Sequence, residues 1–236
     1  MQKVGHDLCT VKCIVAELFY TEDNRIGQSP PMLIADTDDR SRQGSLWAER
    51  RQSTGSIPPA NTVFFALYPD PYMARRLERV AWHLRHAHRL NGKPLADRRL
   101  HVSLFNIGDY ARLTNHAAAA IGKALATVAM PPFVVAFDRA MSFKGGYKRP
   151  LVLVGDDGVA RLKLFQRELV SALDKTGIGR HKHRPYNPHI TLLYDEHRIP
   201  DQPVEAISWI VREVVLVCSL QGQGRHIMLA RWPLRG

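Results

Sequence analysis

Cysteine is scarce in this chain of 236 residues: there are three, an odd number. That argues against a framework of paired disulfides and fits a reducing compartment, so a cytoplasmic protein is expected. Long hydrophobic runs are missing too. No apolar stretch approaches the ~20 residues a membrane span needs, and the first residues lack the charged-then-apolar order of a secretory signal. No full metal-ligand set is present. His6, Cys9 and Cys13 have a loosely ligand-like spacing but no second pair to complete a site, and they read as ordinary residues. A glycine-rich phosphate loop and a dinucleotide fingerprint are likewise absent. Negative charge is the scarcer sign: 22 Asp and Glu stand against 33 Lys and Arg, a formal net charge of +11. Residues 1–55 carry seven basic and eight acidic side chains, so the positive excess belongs to residues 56–236. A field of that sign favours polyanionic partners, nucleic acid first.

What is present is a motif in two copies, His101-Val102-Ser103-Leu104 and His189-Ile190-Thr191-Leu192. Side chains alternate faces along a strand, so each histidine would share a face with its hydroxyl while the two apolar residues point into a core. Two such pairs facing one another supply two acid/base groups and two neutral donors, which is what phosphate-ester chemistry needs. Of eleven histidines, only these two are followed by apolar, hydroxyl, Leu. His226-Ile227-Met228-Leu229 comes nearest and lacks the hydroxyl. A metal held by His101 and His189 alone would have a poor ligand set.

The offset of 88 residues between the motifs also relates their surroundings. Val63 to Leu67 maps onto Leu151 to Gly155, both short apolar runs bounded by turn signals and read as buried strands. Each is followed by an amphipathic helix. The first is capped by Asp70 with Pro71 at its first position, repeats Met73, Leu77, Val80, Leu84 and Ala87, and stops at Asn91-Gly92. The second starts at Asp156 or Asp157, buries Leu162, Phe165, Leu169 and Leu173, and ends at Gly177 and Gly179. Strand, helix, basic loop and His strand thus occur twice, which predicts two similar lobes and one shared cleft. Asn115 to Val128 reads as a further helix. Phe133 to Phe137, Val214 to Cys218 and Ile227 to Trp232 read as strands, the last two joined by Gln221-Gly222-Gln223-Gly224. The expected class is α+β: a bilobal, pseudo-twofold duplicated fold with two mainly antiparallel sheets around a central cleft and helices outside. The expected organisation is an N-terminal extension of unclear role over 1–55 and a two-lobed domain over 56–236. Its lobes would span roughly 56–140 and 141–236, with strand exchange between them allowed.

These residues resemble the two-histidine phosphoesterase superfamily, and within it the 2′-5′ RNA ligase-like proteins, or RNA 2′,3′-cyclic phosphodiesterases. Thr62 to Leu67 is similar to that family's first strand, Asn187-Pro188-His189-Ile190-Thr191-Leu192 to its second motif, and Arg231-Trp232-Pro233-Leu234 to its usual ending. One departure is Phe105-Asn106-Ile107-Gly108 where relatives commonly carry a Phe-Leu-Gly-like run, which bears on the shape of the pocket. The resemblance implies a cleft holding His101, Ser103, His189 and Thr191, no required cofactor or metal, and hydrolysis of 2′,3′-cyclic phosphate ends of RNA. It implies His189 as base and His101 as acid, with 2′-5′ joining as the reverse reaction. Phe105 and Tyr186 flank the motifs as candidates to stack a base, and Lys148, Arg149 and Arg184 as candidates to hold phosphates. A non-catalytic RNA-binding module of the same fold, and a phosphodiesterase for small cyclic nucleotide phosphates, stand as alternatives. The expected partner is an RNA or nucleotide with a 2′,3′-cyclic phosphate, with no membrane involvement and a monomeric protein.

Overall fold

A run that is apolar at every position, Val63-Phe64-Phe65-Ala66-Leu67, needs cover on both faces, and it receives both. In the computed structural model, which describes residues 61–110, 113–178 and 185–236, strand β1 (Thr62–Leu67) lies inside a sheet of eight strands. Val63, Phe65 and Leu67 point into the main core, while Phe64 and Ala66 join Val215 and Val217 in a smaller cluster on the other face. The N-terminal extension expected over 1–55, including His6, Cys9 and Cys13, lies outside the described residues.

The remaining strands are β2 (Val102–Asp109), β3 (Phe133–Ser142), β4 (Arg149–Val154), β5 (His189–Asp195), β6 (Gln202–Val211), β7 (Glu213–Leu220) and β8 (Arg225–Pro233). Their order across the sheet is β6-β3-β4-β5-β2-β1-β7-β8, and every pairing is antiparallel. The centre is its thinnest seam: β2 and β5 touch through one bridge, Val102 opposite Ile190. Two four-stranded antiparallel halves therefore meet where the two motifs lie. The chain's last hairpin, β7–β8, returns to pair with β1 and so completes the first half.

Three helices occur among the described residues: α1 (Pro71–Ala87), α2 (Asn115–Ala126) and α3 (Ala160–Asp174). Asp70 caps α1, its carboxylate accepting from Met73 N–H at 2.9 Å, and Pro71 occupies the first turn, where no N–H is required. Thr114 caps α2 in the same way. The buried face of α1 is Ala74, Leu77, Ala81 and Leu84. Met73 and Val80 of the expected stripe are only partly buried, so the packed face is rotated toward the alanines. In α3, Leu162, Phe165, Leu169 and Leu173 are all fully buried, as their spacing predicts. α1 packs against β5 and β6, and α3 against β2 and β3, so all this helical cover lies on one side of the sheet.

Two details of the first helical unit differ from expectation. α1 ends before Asn91-Gly92, in a motif where Leu90 N–H donates to Arg85 C=O and Arg89 N–H to His86 C=O. Arg89 itself takes the left-handed conformation there, at φ 51°. Gly92 serves a different purpose: a Cβ on it would lie 2.1 Å from the Tyr194 carbonyl oxygen, so only glycine fits against β5. Strand β6 is also new. It is an edge strand carrying Pro203 and Glu205, with Ile207, Trp209 and Val211 turned inward, and such a mixed pattern weakens the apolar signal.

Candidate active site

Leu100 just before β2, with Val102 and Leu104 on it, fills the core from one side of the seam, and Ile190 and Leu192 of β5 from the other, all between 0 and 3 % exposed. That burial fixes the faces. With Val102 opposite Ile190, the antiparallel register sets His101 across from Thr191 and Ser103 across from His189 on the helix-free face. The four predicted catalytic residues are therefore brought together, the two histidines on one diagonal and the two hydroxyls on the other.

Each imidazole is oriented in the same way. His101 Nδ1 lies 2.7 Å from the carbonyl oxygen of Arg99, and His189 Nδ1 lies 2.8 Å from that of Asn187. A carbonyl can only accept, so Nδ1 carries the proton in both neutral rings and Nε2 is left as the working atom. His101 Nε2 is 3.0 Å from Ser103 Oγ. Burial pushes the His101 pKa down to about 4, and the charges of His189 and Arg99 act in the same direction, against the Arg99 carbonyl.

The surrounding walls come from the β3–β4 connection and from the start of β8. Phe143, just beyond β3, sets its ring edge-on to His189 with centroids 4.9 Å apart. His226, near the start of β8, sets its ring edge-on to His101 at 5.0 Å. Phe64 lies beneath both His101 and His226, at 5.2 and 5.6 Å, and Tyr68 stands 5.7 Å from His101. In the sheet register His226 and Tyr68 belong to opposite ends of β1. The twist of the sheet lifts such diagonal corners toward each other, and Tyr68 Oη meets His226 Nδ1 at 3.0 Å. Local sequence patterns could not have indicated His226, because its place depends on that long-range curvature.

The other expected contacts are placed unevenly. Tyr186 lies at the site but is tied down: its hydroxyl donates to the Ser103 carbonyl at 3.1 Å, linking the segment before the second motif to the first. Phe105 is partly buried against the main core. Lys148 is exposed on the loop that begins at Phe143. Arg149 pairs with Asp195, whereas Val154 pairs with His189, so Arg149 stands at the far end of β4. Its guanidinium donates to the Glu196 carbonyl at 2.5 Å. Arg184 lies outside the described residues. No group of three or more His, Cys, Asp or Glu side chains suited to a metal ion occurs among the described residues.

Residues 69–222 match the family model of the 2′-5′ RNA ligase superfamily, well over half of the chain and both motifs. The fold is similar to that of E. coli LigT in its crystal structure complexed with 3′-AMP. The TM-score is 0.58 with 26% identity, over 75% of this chain and 100% of that one. It also resembles TT0787 of Thermus thermophilus, at TM-score 0.57 and 20% identity over 74% and 98% of the two chains. A structure described as a phosphoesterase aligns at TM-score 0.61 and 24% identity, over 75% and 100%. No curated protein matches the chain in sequence.

Proposed function

The chain belongs to the 2′-5′ RNA ligase superfamily, and from that premise we propose that it hydrolyses 2′,3′-cyclic phosphate ends of RNA to 2′-phosphates, by acid/base catalysis between His101 and His189 without a metal ion. The observation that carries this reading is the pair of imidazoles on adjacent strands, each held through Nδ1 by a carbonyl so that Nε2 works on the same face. His189, neutral, takes a proton from water as the water oxygen bonds to phosphorus. The bond from phosphorus to O3′ breaks, and His101, protonated, gives its proton to O3′. The products are a 2′-phosphate and a free 3′-hydroxyl, and proton exchange with solvent resets both rings. This polarity rests on family resemblance.

Ser103 and Thr191 would donate to the non-bridging oxygens as charge accumulates on them, a preorganised role typically contributing a few kcal/mol per donor. His101 has to gain a proton before it can act, although burial and its cationic neighbours disfavour it in the free enzyme. An arriving phosphodiester anion counters those neighbours and raises its proton affinity. Run in reverse, the same groups join a cyclic phosphate end to a 5′-hydroxyl through a 2′-5′ bond. In this reading residues 56–236 form the working domain of a cytoplasmic monomer. Tyr186 borders the base, and Lys148 and Arg184 contribute to binding the phosphates of the chain. Phe105, packed against the main core, and Arg149, at the far end of β4 from His189 and bonded to the Glu196 carbonyl, take no part, against the expectation from sequence.

A second reading, a phosphodiesterase for small cyclic nucleotide phosphates, draws on the 3′-AMP found with E. coli LigT. A non-catalytic RNA-binding module would need neither His-hydroxyl pair. The deciding assay offers an oligonucleotide ending in 2′,3′-cyclic phosphate, and separately a nucleoside 2′,3′-cyclic phosphate, to EDTA-treated protein. Turnover of the oligonucleotide to a 2′-phosphate supports the first reading, turnover of the mononucleotide alone the second, and binding without turnover the third.

A further inference from the structure

Three polar groups beside His101 have no task in that reaction. Arg99 lies two residues before His101, and its Nε is buried with no hydrogen-bond partner. Among the described residues no carboxylate pairs with its guanidinium. The guanidinium reaches toward the β7–β8 turn, where a Cβ built on Gly224 would meet Arg99 Nη1 at 3.5 Å. His226 follows that turn and touches His101, and Tyr68 bonds to His226. A buried guanidinium N–H without an acceptor is costly, and the arrangement becomes favourable once an anion supplies charge-assisted hydrogen bonds.

The corresponding place on the other half of the site is apolar, since the ring laid against His189 is Phe143. The asymmetry has a direction. In the proposed reaction O3′ leaves toward His101, so the ribose lies on the His101 side and water enters on the His189 side. The next phosphate of the chain hangs from O5′ of that same ribose. It would fall beyond His101, on the side of the cleft where Arg99, His226 and Tyr68 gather.

We propose that Arg99, His226 and Tyr68 form a second phosphate subsite, which holds the phosphodiester on O5′ of the substrate's terminal nucleotide. The proposal rests on the reading that the reacting phosphate lies between His101 and His189. Arg99 supplies the charge and the orphaned N–H. Tyr68 donates to His226 Nδ1, which leaves Nε2–H as the donor for the phosphate oxygen. Burial, with the charges of His101 and Arg99, pushes the His226 pKa down to about 4, so the ring acts as a neutral donor. Of the phosphates in an RNA chain, this subsite would select for one in particular, which is how a cleft enzyme tells a polymer end from a mononucleotide.

The test compares two ligands that need no turnover. Adenosine 2′-monophosphate carries only the phosphate of the reacting position, and adenosine 2′,5′-bisphosphate carries both. Calorimetric titration of the wild-type protein should show the bisphosphate bound about tenfold or more tighter. In Arg99→Met that ratio should fall to about twofold or less, and Tyr68→Phe and His226→Gln should lower it by smaller factors. Retained affinity for the monophosphate shows that the variant site is folded; if Arg99→Met does not fold, the other two variants decide. An unchanged ratio in the variants overturns the subsite. Equal weakening of both ligands also overturns it, because Arg99 would then serve the reacting phosphate. Failure of the wild-type protein to turn over any cyclic phosphate removes the proposed reaction, while the ligand ratio still decides the subsite by itself.

Discussion

His101 and His189 are legible because a strand writes its faces in steps of two. An apolar residue on either side of a hydroxyl indicates which way the imidazole points, and the structure places all four motif residues on the helix-free face. If the hydroxyls stabilise charge on the phosphate, Ser103→Ala and Thr191→Ala should each lower kcat by roughly 10²–10³, with KM less affected. Steady-state kinetics on a cyclic-phosphate oligonucleotide checks this, and an effect on KM alone would make them binding groups only. His226 was not legible as part of the site, because its motif lacks the hydroxyl and its position arises from sheet curvature. It nonetheless shares a consequence with His101. Both rings have pKa values pushed down to about 4, from an ordinary value of 6.5, chiefly by burial. The unfolded chain then binds more protons than the native one between about pH 6.5 and 4, so this share of stability is present above pH 6.5 and is lost as pH falls through that window. Urea midpoints should therefore drop between pH 7 and 4.5, and drop less in His226→Gln. An equal drop in the variant would mean that other groups dominate.

Among elements, those with local chemistry were readable and those set by distant partners were not. The Asp70-Pro71 start of α1 and the fully buried leucine face of α3 follow from caps and period alone. The end of α1 does not, because Arg89 rather than a glycine takes the left-handed position, where any Cβ is strained. Arg89→Gly should therefore raise stability by roughly 0.5–1 kcal/mol, the usual difference at such a position. Gly92 contrasts with it. Its neighbour is a backbone carbonyl that cannot move aside, so Gly92→Ala should destabilise by more than about 2 kcal/mol and disturb β5, which carries His189 and Thr191. Equilibrium urea unfolding of the two variants side by side checks both signs. Strand β6 stayed hidden because Pro203 and Glu205, tolerated at an edge, interrupt its alternation.

At the scale of the whole molecule, the duplicated order of strand, helix, loop and His strand was visible as a constant offset, and it predicts a shared seam. The return of β7–β8 to pair with β1 was not, since a non-local antiparallel pairing leaves no mark in either segment. That return matters because it carries His226 and the turn against Arg99 to the site. The positive excess in residues 56–236 is likewise a property of the whole domain, and its expected effect is steep weakening of RNA binding with added salt. The central claim is that two imidazoles on adjacent strands perform the acid/base steps without a metal ion. It is tested most directly by incubating EDTA-treated wild-type, His101→Ala and His189→Ala proteins with an oligonucleotide ending in 2′,3′-cyclic phosphate. The account predicts turnover to a 2′-phosphate by the wild-type protein and a loss of several orders of magnitude in each variant. Full activity in either variant, or wild-type activity that disappears on chelation and returns with a metal ion, would contradict it.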